Sequence, residues 1–177
     1  MSNIDNPHGL RPLGVTLSGG PIAVSPFRKN KDTAIYAYDA LHLAKDGSVD
    51  GGQKPASALY CGVSLSAGLA GTEGNQWVVV SPDAIFEAQP DDDPMGIVAG
   101  DAGSFANLIL NPGNPKTLIS GHEIDTSTVG QGSDREVRLL KLLDAPDNKG
   151  GEFAAFEITI LKHTGARIHR IAPGTTR

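Results

Sequence analysis

The chain has little of the residue types on which disulfide-stabilised and aromatic-rich proteins depend. It contains one cysteine and one tryptophan in 177 residues, and aromatic residues make up 5% of it. A single cysteine, Cys61, excludes a disulfide within the chain, as is usual for proteins that mature in a reducing compartment. The core is therefore expected to consist mainly of Val, Ile, Leu and Ala.

The chain also lacks the charge and hydropathy patterns of several functional classes. Its formal net charge is −5, and it has no block of Lys and Arg of the kind that binds nucleic acid. Its start has no basic segment followed by an apolar one, and no run approaches the roughly 18 apolar residues of a membrane helix. The sequence predicts a soluble protein, not exported by the usual route, with neither nucleic acid nor membrane as a partner.

Glycine and proline, by contrast, are abundant and divide the sequence into short apolar runs. There are 22 glycines and 12 prolines, and no helix of ordinary length with capping residues is evident. Short strands separated by Gly/Pro turns indicate an all-β fold, either a small antiparallel β-barrel or a β-sandwich. The predicted strands are 33–38, 40–44, 58–65, 76–80, 84–89, 105–110, 121–128, 136–144 and 153–163.

The last two of these strands are predicted to form a hairpin. Phe156, Ile158 and Ile160 alternate with Glu157 and Thr159, which is the pattern of a half-buried strand. The run 136–144 fits a helix or a strand equally well by its period. Because a turn-rich segment, 144–151, joins it to the alternating run, we predict an antiparallel partner strand.

Both ends of the chain are predicted to be extended arms around a β-rich body spanning 21–164. In the N-terminal arm, 1–20, Pro7 and Pro12 each fix φ and remove a backbone donor. The C-terminal arm, 165–177, is basic. The residues expected to contact a partner are Ile4, Pro7, Leu10, Arg11, Pro12, Leu13, Arg167 and Arg170.

Several isolated residues have the chemistry of sites but lack the surroundings of one. Cys61 lies in an apolar run and is expected to be a buried, inert thiol. Trp77 is expected to pack in the core or at an interface. His42, between two leucines, is expected to be a strand histidine rather than a metal ligand. The basic loop residues Arg28, Lys29 and Lys31 are expected to be solvated, with an acidic partner surface as the alternative.

Two acidic clusters could imitate metal or catalytic sites. The run 91–93 is interrupted by Pro94 and does not follow the spacing of an EF-hand loop, so a solvated turn is expected. His122 and Glu123, adjacent on a predicted strand, would face opposite ways. The sequence therefore predicts no cofactor, no metal and no catalytic residue. A hydrolase that uses His122 with Glu123 or Asp125 is the enzymatic alternative.

Two regions, in their order along the chain, resemble a known family. The opening residues Ile4-Asp5, Pro7 and Gly9-Leu10-Arg11-Pro12 resemble the start of the capsid decoration, or cement, proteins of tailed bacteriophages. The segment 139–148, followed by the strand that ends at His163, is similar to the closing hairpin of that family. Segments 84–94 and 122–128 are also similar. The chain departs from the family pattern after Gly14 and in its basic tail.

The resemblance implies a structural virion protein rather than an enzyme. Such a protein binds the outer surface of the bacteriophage capsid and stabilises contacts between major capsid proteins. The implied partners are the major capsid protein and neighbouring copies of the chain, as a dimer or trimer. The implied location is the outer surface of the virion, after synthesis in the host cytoplasm. The resemblance implies no cofactor.

A β-sandwich binding module that recognises a host surface glycan is the alternative function. Such a module needs exposed aromatic side chains. The chain has one Trp, three Tyr and five Phe, and most of them fall in predicted strands. The sequence therefore favours the capsid-binding function.

Overall fold

The computed structural model describes residues 5–52, 59–91, 97–132, 134–146, 148–150 and 153–165. It confirms the all-β prediction. The strands are β1 (Arg11–Thr16), β2 (Val24–Arg28), β3 (Ala40–Leu43), β4 (Val49–Asp50), β5 (Tyr60–Ser64), β6 (Asn75–Val79), β7 (Ala84–Ala88), β8 (Phe105–Asn114), β9 (Ile119–Gly130), β10 (Val137–Leu142) and β11 (Phe156–Ile160). The helical element among these residues is a single 3-10 turn, Ala99–Asp101. No helix in the described part of the chain is long and apolar enough to span a membrane.

The strands form two antiparallel sheets that pack as a sandwich. One sheet has six strands in the order β1-β7-β11-β10-β8-β9, and the other has five in the order β2-β6-β5-β3-β4. In the described chain neither sheet closes into a barrel, which decides between the two architectures left open by the sequence. The main core lies between the sheets, where Tyr60, Val63 and Val79 of the smaller sheet meet Phe86 and Phe156 of the larger one.

The central strand of the five-stranded sheet, β5, is buried on both faces. Residues 60–64 of this strand are all buried. Tyr60 points into the main core, whereas Cys61 belongs to a second cluster with Ile35 and Val78 on the opposite face. Cys61 is therefore the buried thiol predicted from the sequence, and burial raises its pKa to about 12.

Close approach of backbones within this sheet requires glycine at position 62. Gly62 has φ +150°, and a Cβ there would lie 2.0 Å from the Val79 carbonyl oxygen. That distance is far below van der Waals contact, so any side chain would separate β5 from β6. The glycine is thus set by the packing of the two strands and not by a turn.

Most predicted strands are present, and the hairpin predicted at 136–163 is confirmed by the antiparallel pairing of β10 with β11. The prediction of a strand at 33–38 is wrong. Ile35 donates its N–H to Gly68 and Ala37 donates to Leu118, so the segment contacts different parts of the fold in turn. Its path then bends at Tyr38, which has φ +73°.

The predicted N-terminal arm also needs correction, because its described residues are built into the body. Leu10 is 0% exposed in the main core, and its N–H donates to the Tyr38 carbonyl at 3.0 Å. Gly9, with φ +70°, lies so close to Ser120 that a Cβ would approach the serine Cβ to 2.4 Å. The strand β1 then pairs with β7 at the edge of the six-stranded sheet. The segment is extended, as its prolines favour, but the burial of Leu10 holds it against the body.

Pro12 is compatible with this strand because of its position at the edge. The Leu10 N–H points away from β7 toward Tyr38, and successive residues of a strand alternate in direction. Arg11 therefore faces β7, and the missing N–H of Pro12 lies on the open side, where a sheet tolerates proline. Of the predicted arm residues, Ile4, Arg167 and Arg170 lie outside the described part of the chain.

Replacement of Leu10 tests whether the N-terminal segment contributes to the body. Because Leu10 is fully buried, we expect Leu10→Ala to lower the free energy of unfolding by roughly 2–5 kcal/mol. The matched control is Leu17→Ala, since Leu17 is 54% exposed and its loss should change stability by less than about 0.5 kcal/mol. Urea denaturation measures both. Equal, small effects of the two substitutions would show that the segment is not part of the folded core.

Candidate interaction surfaces

Arg11, the predicted polar contact of the arm, is engaged within the chain. Its guanidinium donates to the Glu87 carboxylate, and His8 Nε2 lies 3.4 Å from the other Glu87 oxygen. The Glu87 side chain is 9% exposed and that of Arg11 is 53% exposed. The His8 imidazole, followed by the charge of Arg11, holds the pKa of Glu87 below its ordinary value despite burial. The ion pair therefore fixes β1 on β7 while leaving part of Arg11 on the surface.

The other described arm residues differ in how much surface they offer. Leu10 is fully buried and offers none. Pro7, Pro12 and Leu13 are partly buried. Pro7 lines a groove of about 610 Å³ between the N-terminal segment and the β8–β9 hairpin. The groove is lined by Asp5, Asn6, Pro7, His8, Pro112, Asn114, Pro115, Lys116, Thr117, Ile119, Ser120 and Gly121.

His122 forms a buried pair with Asp39. Its Nδ1 accepts the Ala40 N–H at 3.1 Å, so the neutral ring carries its proton on Nε2, 3.4 Å from Asp39 Oδ1. The second carboxylate oxygen accepts the Tyr36 N–H at 2.7 Å. Burial lowers the pKa of His122 to about 4 and raises the pKa of Asp39 to about 6. Because Asp39 precedes β3 and His122 lies on β9, the pair joins the two sheets.

This geometry separates His122 from the acidic residues suggested by the sequence. Glu123 accepts a hydrogen bond from Asn111 at 2.9 Å, and Asp125 accepts one from Ser127 at 2.6 Å. Both ring nitrogens of His122 are directed at groups of the body, Ala40 and Asp39. Across the described ranges, no group of three or more His, Cys, Asp or Glu side chains could hold a metal ion.

An exposed apolar row crosses the five-stranded sheet at Trp77. Trp77 is 54% exposed, so the prediction that it packs in the core is wrong, while packing at an interface stays a prediction. Pro26 of β2 is its cross-strand partner, and on the other side Leu65 donates its N–H to the Trp77 carbonyl at 2.8 Å. Cross-strand partners share one face of a sheet. We call the exposed row of Pro26, Trp77 and Leu65 the Trp77 platform.

A polar cleft continues from this platform along the same strands. Arg28 and Asn75 form the next cross-strand pair on the same face, about 7 Å from Pro26 and Trp77. Arg28 donates to the Asp46 carboxylate at 2.8 Å and to the Asp46 carbonyl at 2.9 Å. The cleft has a volume of about 370 Å³ and is lined by Arg28, Lys29, Asn30, Lys31, Asp32, Asp46, Glu73, Gly74 and Asn75.

One of the basic residues in this loop is not solvated, contrary to the prediction. Lys29 is 4% exposed, and its ammonium donates to the carbonyls of Asn30 and Thr33 at 2.7 and 2.8 Å. Burial lowers the pKa of Lys29. No signal in the sequence distinguishes Lys29 from Arg28 and Lys31. The arrangement of the loop over the smaller sheet decides which of the three turns inward.

The open edge beside the platform is protected against strand pairing. Val80 donates to Ala23 and Lys29 donates to Gly74, so Ser25 and Phe27, in phase with them, also face β6. Pro26 therefore faces outward, where it offers no N–H to a second strand. A partner at this location must contact the face of the sheet rather than its edge.

The buried Asp39–His122 pair leads to opposite pH dependences for two single substitutions. The raised pKa of Asp39 makes stability fall as pH rises from 3.8 to about 6, whereas the lowered pKa of His122 makes stability rise from about 4 to 6.5. The two effects oppose one another in the intact protein. His122→Asn keeps an acceptor for the Ala40 N–H and leaves Asp39 alone, so we expect its free energy of unfolding to fall as pH rises. Asp39→Asn leaves His122 alone, so we expect its free energy of unfolding to rise with pH. Each slope should reach up to about 1.4 kcal/mol per pH unit.

Urea denaturation between about pH 4 and pH 6.5 measures these slopes, with the double variant as control. The double variant is expected to follow the pH dependence of the intact protein. Slopes of the same sign in the two single variants would contradict the assignment of the raised and lowered pKa values to this pair.

Comparison with known proteins adds no relative to this description. No protein-family model matches the chain, and no curated protein or solved structure matches it either. The resemblance to capsid decoration proteins therefore rests on the residues quoted for it, and the function is argued from these residues and from the surfaces described above.

Proposed function

We propose that the protein is a structural component of a bacteriophage virion that binds the outer surface of the capsid and stabilises contacts between major capsid proteins. In this function it has no catalytic activity and needs no cofactor. Its partners are the major capsid protein and neighbouring copies of the chain, as a dimer or trimer. It is made in the host cytoplasm and ends on the outer capsid surface.

The ordered family-like residues carry this proposal. Gly9, Leu10 and Arg11 each have a defined task in the fold: close approach to Ser120, core packing and the ion pair with Glu87. The closing hairpin supplies Phe156 and Ile158 to the core. Because these family-like residues have structural tasks, they support an architecture shared with the capsid decoration proteins. The function is then proposed from that resemblance.

The packing of the N-terminal segment on the body changes which of its residues are expected to contact the capsid. Because Leu10 is buried, it cannot anchor the chain to a partner. Before Gly9, Asn6 donates its N–H to Gln89 and His8 faces Glu87, so this segment lies on the surface of the body. Several contacts per copy, multiplied over many copies, convert modest interfaces into firm binding. We therefore expect the terminal residues, with Arg167 and Arg170, to supply contacts that reinforce those of the body.

Cosedimentation with capsids tests this function. Phage particles assembled without the protein are mixed with the full chain, with a variant lacking residues 2–8, and with a variant ending at Gly165. We expect the full chain to saturate the particles and each truncated chain to bind roughly tenfold or more weakly, because one of several linked contacts is lost. The first deletion keeps Gly9 and Leu10, so the core stays complete.

A substitution far from both termini provides the control. Val98→Ser changes an exposed residue beside the 3-10 turn and should bind particles like the full chain. Circular dichroism and thermal denaturation establish that each variant is folded. If the full chain does not bind the particles, the capsid-binding function is wrong. If both truncated chains bind as well as the full chain, the termini are not attachment segments.

A further inference from the structure

We propose that the Trp77 platform and the adjoining polar cleft together form a binding site for a neutral saccharide. The site lies on one face of the β2–β6 ribbon, and the proposal goes beyond capsid binding because the ligand would be taken from solution or from another surface. It assigns a task to the single tryptophan that core packing does not explain.

The platform supplies the apolar half of such a site. A pyranose ring presents a face of C–H groups, and an exposed indole is a flat apolar surface with one polar N–H at its edge. Pro26 and Leu65 flank Trp77 on the neighbouring chain segments, so the platform is a single row of three side chains that runs across the strands. Because Val79, on the same strand face, is buried in the main core, the platform ends abruptly on that side.

The cleft supplies the polar half at the other end of the platform. Arg28 and Asp46 place a donor and an acceptor side by side, 2.8 Å apart and both largely exposed. Two adjacent hydroxyl groups of a sugar can accept from the one and donate to the other. Asn75, the exposed cross-strand partner of Arg28, adds an amide with donor and acceptor atoms next to Trp77 on the same strand face. An apolar surface with a few convergent polar groups is the usual composition of a ligand site.

The charges of the cleft favour an uncharged ligand. Three basic residues, Arg28, Lys29 and Lys31, are matched by the three acidic residues Asp32, Asp46 and Glu73. In addition, the Lys29 ammonium is turned inward onto two carbonyl groups. Such a balance attracts neither a phosphate nor a cation over long distance. Selection must then come from hydrogen bonds and stacking, which are the contacts that a neutral sugar makes.

The dimensions of the site argue against a protein as its occupant. A stable protein interface buries about 800 Å² on each partner, whereas the platform consists of three side chains and is bounded by a polar cleft. Addition of a strand at the neighbouring edge is blocked by the outward-facing Pro26. A cleft of about 370 Å³ lies in the range of small-molecule sites.

The single tryptophan makes the test direct. In the full chain, the one indole N–H resonance in NMR reports on Trp77 alone, and so does the fluorescence when the excitation is selective for tryptophan over the three tyrosines. The protein is screened on a glycan array and titrated with chitotriose, maltotriose and lactose. We expect at least one array glycan to bind, and at least one of the three oligosaccharides to shift the indole resonance in a saturable manner.

Substitutions then locate the binding to the two halves of the site. We expect Trp77→Ala to weaken glycan binding by at least about tenfold, as for a residue at the centre of an interface, and Trp77→Phe to restore part of it. Asp46→Asn keeps the shape of the cleft but removes its charged acceptor, and should weaken binding less. Val98→Ala, at an exposed position elsewhere, is the control and should bind like the unmodified chain.

Three results would overturn the proposal. The first is that no array glycan binds and none of the three oligosaccharides moves the indole resonance. The second is that Trp77→Ala binds glycans as well as the unmodified chain while remaining folded. The third is that Trp77→Ala loses binding to capsid particles while glycan binding is absent throughout, which would assign the surface to a protein partner. Because the glycan assays use the isolated protein, they are independent of the capsid-binding function.

Discussion

Burial of the central strand β5 on both faces is the constraint on which the rest of the structure depends. A strand such as β5, with no exposed face, must have apolar side chains in both directions and neighbours that satisfy its backbone groups. The larger sheet covers one face, and the loop that carries Ile35 helps cover the other. Gly62 then allows β5 and β6 to approach closely.

Buried polar pairs fix how the two sheets are placed on one another. Tyr60 of the smaller sheet donates its hydroxyl to Glu136, and the same carboxylate oxygen accepts the Leu108 N–H of the larger sheet. Asp39 and His122 form a second connection. Apolar packing tolerates sliding, whereas a buried carboxylate is strongly destabilised when its partners are displaced. These pairs therefore specify one arrangement of the sandwich.

The N-terminal segment illustrates how a short pattern can be structural and suggest function at once. Pro7, Gly9 and Pro12 resemble an extended attachment arm in the sequence, yet Leu10 and Arg11 hold the segment on the body through the core and Glu87. The exposed aromatic and charged side chains that could bind a ligand lie instead on the smaller sheet, at Trp77 and in the cleft beside it. The saccharide site proposed for this sheet thus lies apart from the N-terminal segment on which the capsid-binding proposal is based.

The sequence by itself determined the fold class, most strands and the closing hairpin, because the period-two pattern around Phe156 and the Gly/Pro turns are local signals. It also indicated that Cys61 is buried, since the thiol lies in an apolar run. Only the tertiary structure decided that Leu10 is core and that Trp77 is exposed. Both residues are apolar and lie in extended segments, so their local patterns are equivalent. The difference arises where one sheet stops covering the other, which depends on contacts between residues distant in the chain.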